Sequence, residues 1–283
     1  MHVSIGGKIY DAVERAGKLG CSAMQIFSRN PRQWRSLGLS AADAAEFRRR
    51  RAASGLKAVA VHIPYLINLA TPRDALYHKS IDAYVEDVRE AQALGAEYLV
   101  THMGSFKDSS AEAGLSRFTQ AIGIVLERTR GSRVMLLLEN TTGAGHWLGA
   151  MFQDHARVMK GVRDRGRPSG GGPRLGVCLD TAHLFGAGHD IREAAVFDAV
   201  LDDIERRCGR GAVRVVHLND SAGDLGSLVD RHASIGKGRI GLKAFSHIVN
   251  HPKLRNAAFI LETPKTTPRE DALNLRRVRK LIQ

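Results

Sequence analysis

LGVCLDTAH, residues 175–183, runs through a short apolar stretch, stops on a carboxylate and presents a histidine three residues later. An apolar run of that length, bounded by loop-forming sequence, reads as a buried strand over 175–180. VMLLLE at 134–139 follows the same plan, and comparable runs lie at 2–5, 23–27, 58–62, 98–102, 213–218 and 258–262. Longer segments with helical spacing separate them. At 73–94, Ile81, Val85, Val88 and Leu94 recur near a helical period, and 115–130 behaves likewise. Ser40 before AADAAEF is placed to cap a helix, and Thr-Pro pairs at Thr71 and Thr267 offer proline at a first helical position.

Strand and helix in alternation, eight times over, predict an α/β protein with a parallel sheet closed on itself: a single-domain (β/α)8 TIM barrel. The chain has 283 residues, enough for that fold at roughly 250 residues. An open, doubly wound sheet is the alternative that the pattern also admits. Two segments read as insertions. RGRPSGGGP at 165–173 precedes the sixth strand, so it is expected to be a surface loop away from any chemistry. The polar stretch 221–241 follows the seventh strand, on the face where barrel sites are built.

Composition narrows the class. With 43% hydrophobic and 25% charged residues, the chain belongs with ordinary folded proteins rather than disordered ones. It contains no apolar run long enough to span a bilayer and does not begin with an export signal, so no membrane association is expected. Cys21, Cys178 and Cys208 are odd in number and far apart, which indicates neither a disulfide framework nor a thiolate metal site. A cytoplasmic location and a monomer are the expectations. The excess of 42 Lys+Arg over 29 Asp+Glu, a formal +13, would attract a polyanion. A merely solvated basic surface would look the same, so charge alone does not decide.

The strand ends do. His62, His102, Glu139, Asp180 and Glu262 each close a run, and His217 stands at the end of the seventh. In a barrel all of these point into one bowl at the C-terminal face. Any one of them alone is better explained as a helix cap or a core contact, but six together would repel and perturb one another unless cations neutralised them. The loops add His183, Asp230 and His232. Nine nitrogen and oxygen ligands exceed what one ion takes and suit two or three; the donor types favour zinc over manganese or iron. Such clusters are suited to phosphate-ester hydrolysis.

HIPYLINL, THMGS, LLLENT, GVCLDTAH, VHLNDS, VDRHASIGKGRIG and LETP occur in this order along nearly the whole chain. Together they resemble the successive signatures of the endonuclease IV family. The resemblance implies a metal-dependent endonuclease of base excision DNA repair, of the deoxyribonuclease IV type. It implies three Zn2+, with Mn2+ or Fe2+ able to replace them in part: one held by His62, His102 and Glu139, a second by Glu139, Asp180, His217 and Glu262, a third by His183, Asp230 and His232. It further implies attack by an activated water on the phosphorus 5′ to an abasic site in double-stranded DNA. The products are a 3′-hydroxyl and a 5′-deoxyribose phosphate, and 3′-blocking groups are also expected to be removed.

By the same resemblance Arg32 in SRNPRQW and Tyr65 with Leu66 in HIPYL would enter the minor groove, a wedge that selects the nucleotide costing least to unstack. Lys237, Arg239 and Arg231 are further candidates for phosphate contact. Read without the family, Tyr65 and Leu66 cap a core and Arg32 is a solvated charge. Two departures stand out: THMGS carries methionine where the family generally has proline, a change expected to loosen that loop while leaving His102, and little chain precedes HVS, which either weakens the first strand or marks a compact version. The rival reading is a sugar isomerase or epimerase of the xylose-isomerase-like class, which shares the barrel and a carboxylate-histidine site but gives no role to His183 and VDRH. A second rival is a DNA-binding barrel without catalysis.

Overall fold

The protein is described by a computed structural model covering residues 1–36, 38–164, 174–265, 267 and 269–283. The glycine-rich stretch 165–173 and Pro268, for which a surface loop and a helix start were expected, lie outside the described residues. In chain order the elements are α1 (Asp11–Lys18), β1 (Ala23–Phe27), α2 (Ala41–Ser54), β2 (Ala58–His62), α3 (Asp74–Leu94), β3 (Tyr98–His102), α4 (Ala111–Arg128), β4 (Met135–Glu139), α5 (Phe152–Asp164), β5 (Leu175–Asp180), α6 (Thr181–Gly186) and α7 (Ala194–Cys208). Then come β6 (Val213–His217), β7 (Asp220–Ser221), β8 (His232–Ala233), α8 (Leu242–Val249), a 3-10 turn (Pro252–Leu254), β9 (Ala258–Ile260) and α9 (Glu270–Arg279).

Seven strands pair in parallel in the order β1-β2-β3-β4-β5-β6-β9. Residues 1–3 close the ring between its two edges. Val3 N–H donates to Gln25 O at 2.8 Å, Gln25 N–H to Met1 O at 3.0 Å, and His2 N–H to Leu261 O at 2.8 Å. The expected first strand at 2–5 is therefore corrected to a single parallel bridge, His2 with Gln25. Its continuation is diverted where Ser4 Oγ accepts the Gly6 N–H at 3.1 Å and Gly7 takes φ +80°, a conformation glycine adopts without steric cost.

The sheet carries two hydrophobic layers. Met24, Ile26, Val59, Val61, Leu99, Leu136, Leu138, Val177, Leu179 and Val216 face the surrounding helices and join the main core. Ala23, Ala60, Val100, Leu137, Cys178, Val215 and Ile260 fill the barrel interior. Ser40 caps α2 as expected, its hydroxyl accepting the Asp43 N–H at 3.0 Å. The Thr71-Pro72 pair does not start a helix: Thr71 Oγ1 accepts the Arg73 N–H at 3.3 Å, and α3 begins only at Asp74. α4 begins a turn earlier than its periodicity suggests, because Ser110 caps the Ala113 N–H at 3.1 Å. No helix among the described residues is long and apolar enough to cross a membrane.

Candidate metal centre

Strand side chains alternate faces with a period of two, and this places the site. Two residues beyond Ala60, Val100, Leu137, Cys178, Val215 and Ile260 stand His62, His102, Glu139, Asp180, His217 and Glu262. Each shares the inward face of its predecessor, one layer nearer the C-terminal mouth. The seventh interior residue, Ala23, has Gln25 in the same relation. Glu262 does not close its strand as expected; β9 ends at Ile260, and the Glu262 backbone N–H is carried by Asn219 Oδ1 at 2.8 Å.

The carboxylate of Glu139 is the hub. Its Oε2 lies 3.0 Å from His62 Nε2 and 2.9 Å from His102 Nε2, and its Oε1 lies 2.9 Å from His217 Nδ1. Glu139, Asp180, His217 and Glu262 form a second set whose ligand atoms all fall within 4.8 Å of one another, as do those of His62, His102 and Glu139. A third set joins His183 and His232 to Asp180, with Asp230 Oδ1 3.2 Å from His183 Nε2 and 3.4 Å from His232 Nε2. Asp180 thus lies between the second and third sets. His183 sits on the short helix α6 rather than in a loop, because Asp180 Oδ1 caps that helix by accepting the His183 N–H at 2.8 Å. His232 sits on β8, whose two residues pair with β7 inside the stretch expected to be loop.

Four of these histidines have their free nitrogen selected by the other one. His62, His183 and His232 donate Nδ1–H to the carbonyls of Ile63, Asn140 and Glu262 at 2.7, 2.8 and 3.2 Å, so each presents Nε2. Gln25 reverses the choice at His217: its Nε2 donates to Glu262 Oε1 at 2.6 Å, so its Oε1 must accept His217 Nε2–H at 2.8 Å, leaving Nδ1 for the site. Fixing ring and tautomer in this way is what metal-binding histidines require. His232 Nε2 is buried and has no hydrogen-bond partner, a cost that a cation would relieve.

The electrostatics point the same way. Burial pushes the Glu139 carboxyl up, but His102 and His217 overrule it and hold it well below the ordinary carboxylate range. Burial likewise raises Glu262, and His217 and His2 bring it well below. For His183 burial lowers the pKa, while Asp180 and Asp230 drive it up to about 10. Buried carboxylates at this density demand compensating positive charge, which bound cations supply when they displace the histidine protons. Cys178 also approaches Glu139 and His217, but burial pushes its thiol up to about 12, which disfavours the thiolate that a metal binds.

A family model described as a xylose isomerase-like TIM barrel matches residues 13–281. A probable endonuclease 4 from Methanoculleus marisnigri is 44% identical over 280 residues, 99% of this chain and 97% of that protein. The crystal structure of endonuclease IV from Thermus thermophilus superposes with a TM-score of 0.85 at 39% identity, covering 99% of this chain and 97% of that one. The chain belongs to the endonuclease IV family. A D-tagatose 3-epimerase-like protein shares the fold with a TM-score of 0.74 but only 16% identity, so that likeness extends to the barrel alone.

On this endonuclease IV barrel the site opens into a cleft of ≈660 Å³, whose wall includes Tyr65 and Arg231 among the expected DNA contacts. Arg32, Leu66, Lys237 and Arg239 are not on that wall. Tyr65 is 62% exposed, its ring 6.0 Å from that of His102; Leu66 is half-buried, and Arg32, Arg231, Lys237 and Arg239 are exposed. Arg239 Nε pairs with the exposed Asp224 at 3.2 Å. Met103 does not loosen its loop: it is fully buried, and the Asn68 side-chain amide grips Ser105, Nδ2 donating to its carbonyl at 2.9 Å and Oδ1 accepting its N–H at 3.1 Å.

Several contributors in this endonuclease IV chain are not among the nine ligand residues that the strand ends and loops announce. Besides Gln25, Asn219 Nδ2 donates to Asp180 Oδ2 at 2.7 Å and to Glu262 Oε2 at 3.3 Å. Buried Asp220 organises the segment bearing Lys237 and Arg239 by accepting the amides of Gly236, Gly238 and Ile240 at 2.9, 3.0 and 3.0 Å. A Cβ on Gly238 would lie 2.4 Å from Ser221 O, so only glycine fits there. Trp147, 39% exposed, sets its ring 5.9 Å from that of His102. The period-two register would have found Gln25; the VHLND motif already held Asn219 and Asp220.

Proposed function

We propose that this chain is a metal-dependent hydrolase of DNA repair that cuts the phosphodiester 5′ to an abasic site, leaving a 3′-hydroxyl and a 5′-deoxyribose phosphate, and that clears 3′-blocking groups in the same cleft. The observation that carries the metal centre is the run of inward positions two residues beyond the barrel's apolar layer, where six consecutive ligand types stand side by side. Full-length identity of 44% and 39% to proteins named endonuclease 4 supports the reaction class.

His62, His102 and Glu139 would hold one ion, Glu139, Asp180, His217 and Glu262 a second, and His183, Asp230 and His232 a third, with Zn2+ favoured by the nitrogen and oxygen donors. When bound, such ions supply an activated water at neutral pH and screen the charge of the phosphate. Gln25 and Asn219 hold His217, Asp180 and Glu262 in their working orientation. Tyr65 and Arg231 border the cleft and would meet the extruded sugar and its flanking phosphates, while Arg32 and Leu66 would enter the minor groove beside it. A lesion without a base costs least to extrude, which is the basis of selection. The chain is expected to act as a monomer in the cytoplasm.

The test is a duplex containing one abasic-site analogue that lacks the sugar aldehyde, set against the same duplex intact and against free ketohexoses. Incision on the 5′ side of the analogue alone is expected, since no lysine Schiff base takes part. Epimerisation of the sugar without DNA cleavage would replace this reading with the epimerase one.

A further inference from the structure

The endonuclease IV site accounts for nine of the chain's histidines and carboxylates; another group lies elsewhere. Asp198 on α7, His247 on α8 and His251 at the start of the 3-10 turn bring one ligand atom each within 4.8 Å of one another. His247 Nε2 is 2.9 Å and His251 Nε2 3.2 Å from the same oxygen, Asp198 Oδ1. The two rings stand 5.4 Å apart at 84°, each edge-on to Phe197, so their planes are set by packing.

These separations are close to those around a small ion. With metal–nitrogen and metal–oxygen bonds of about 2.0–2.2 Å, the edge of a tetrahedral site is roughly 3.3 Å. The surroundings also suit a cation. Lys253, whose amine bears on His251, is drawn to Asp202 and Glu205, and among the described residues the ion pairs of Asp198 are with His247 and His251. Asp198 is half exposed and His247 a third exposed, which leaves room for a water as the fourth ligand.

We propose that Asp198, His247 and His251 form a second divalent transition-metal site, separate from the barrel mouth, that takes one ion of the Zn2+ class and ties α7 to α8. It differs from the barrel site in one respect that sets its affinity. His251 Nδ1 accepts the Lys253 backbone N–H at 3.2 Å, so the neutral ring carries its proton on Nε2 and donates it to Asp198. Binding at Nε2 requires that proton to move to Nδ1 and breaks the contact with the Lys253 amide. In the barrel His62, His183, His217 and His232 need no such rearrangement, so the outer ion is the weaker of the two populations and leaves first under mild chelation.

Equilibrium dialysis of the whole protein, barrel site loaded, against buffered free Zn2+ tests this, with His247→Gln and Asp198→Asn run beside it. The wild type is expected to take up one more equivalent than either variant at the same free Zn2+, with abasic-site incision the same in all three. Substituting Co2+ should give the wild type an additional tetrahedral visible absorption that both variants lack. Equal uptake in the wild type and in either variant would overturn the site and leave Asp198 as a hydrogen-bonding clasp between helices.

Discussion

Gln25 carries no charge and yet joins two members of the site and the chain start: it accepts from His217, donates to Glu262, and its side-chain nitrogen lies 3.0 Å from His2 Nδ1. Gln25→Leu keeps the volume and removes all three contacts. Loss of such support to metal ligands usually costs about 10- to 100-fold, so metal retention against a chelator and abasic-site incision should both fall by that order with the fold intact; unchanged retention would show His217 to be held by packing alone. Trp147 makes a second residue-scale prediction. Its exposed ring beside His102 is placed to stack on an unstacked nucleotide, a contact worth about 1–3 kcal/mol. Trp147→Ala should weaken binding to an abasic duplex by that amount without changing metal content; DNA is expected to quench the wild-type tryptophan fluorescence, and most of that quenching should be lost in the variant, Trp34 being the only other indole. Equal affinity would make Trp147 a lid over the core.

At the scale of elements, the loop after β1 is held to α3 by a buried ion pair. Arg29 donates from Nε and Nη2 to Asp87 Oδ1 at 3.0 and 2.5 Å and from Nη2 to Ala83 O at 3.0 Å; the two side chains are 1% and 0% exposed. Removing one member of such a pair leaves an uncompensated buried charge at about 3–5 kcal/mol. Arg29→Met should therefore destabilise the protein by that order in urea unfolding and weaken DNA binding through the displaced Arg32 loop, while Arg29→Met with Asp87→Leu should regain much of the stability. His155 on α5 supplies a pH dependence. Burial lowers its pKa from 6.5 to about 4, against the Met151 and Glu139 carbonyls that would raise it. The unfolded chain then binds the proton more tightly than the folded one, so stability is complete above pH 6.5 and is lost as pH falls toward 4, by up to about 3 kcal/mol. The difference in unfolding free energy between wild type and His155→Gln should shrink from pH 7 to pH 4.5; a constant difference would show that His155 titrates alike in the folded and unfolded chains.

Across the whole molecule, the barrel and most of its ligands were legible because both follow from one periodicity. Apolar runs ending in His, Asp or Glu mark strands and site together, and β1, β2, β3 and β5 begin and end where the sequence places them. Closure was harder to read, because residues 1–3 bond to two neighbours that lie far along the chain. Arg29 and Asp87 are 58 residues apart, so neither announces the other, and the Asp198 group is assembled from three separate elements. The net charge of +13 belongs to this scale too. Affinity for any duplex should fall linearly in log–log form with salt, abasic or intact, whereas the ratio between the two should change little, being set by Tyr65, Trp147 and the cleft.

The most direct measurement is metal content and incision rate on one preparation, for wild type, Glu139→Ala and His232→Ala, with a single abasic analogue in duplex DNA. Glu139 bridges the first two ligand sets and His232 completes the third. The wild type should carry at least two ions per chain, cut on the 5′ side to leave a 3′-hydroxyl, and lose all cutting after exhaustive chelation; both variants should hold less metal and cut at least about 100-fold more slowly, in line with loss of interactions made in the transition state. Wild-type cutting rates in both variants, or full activity with fewer than two ions per chain, would contradict the metal centre.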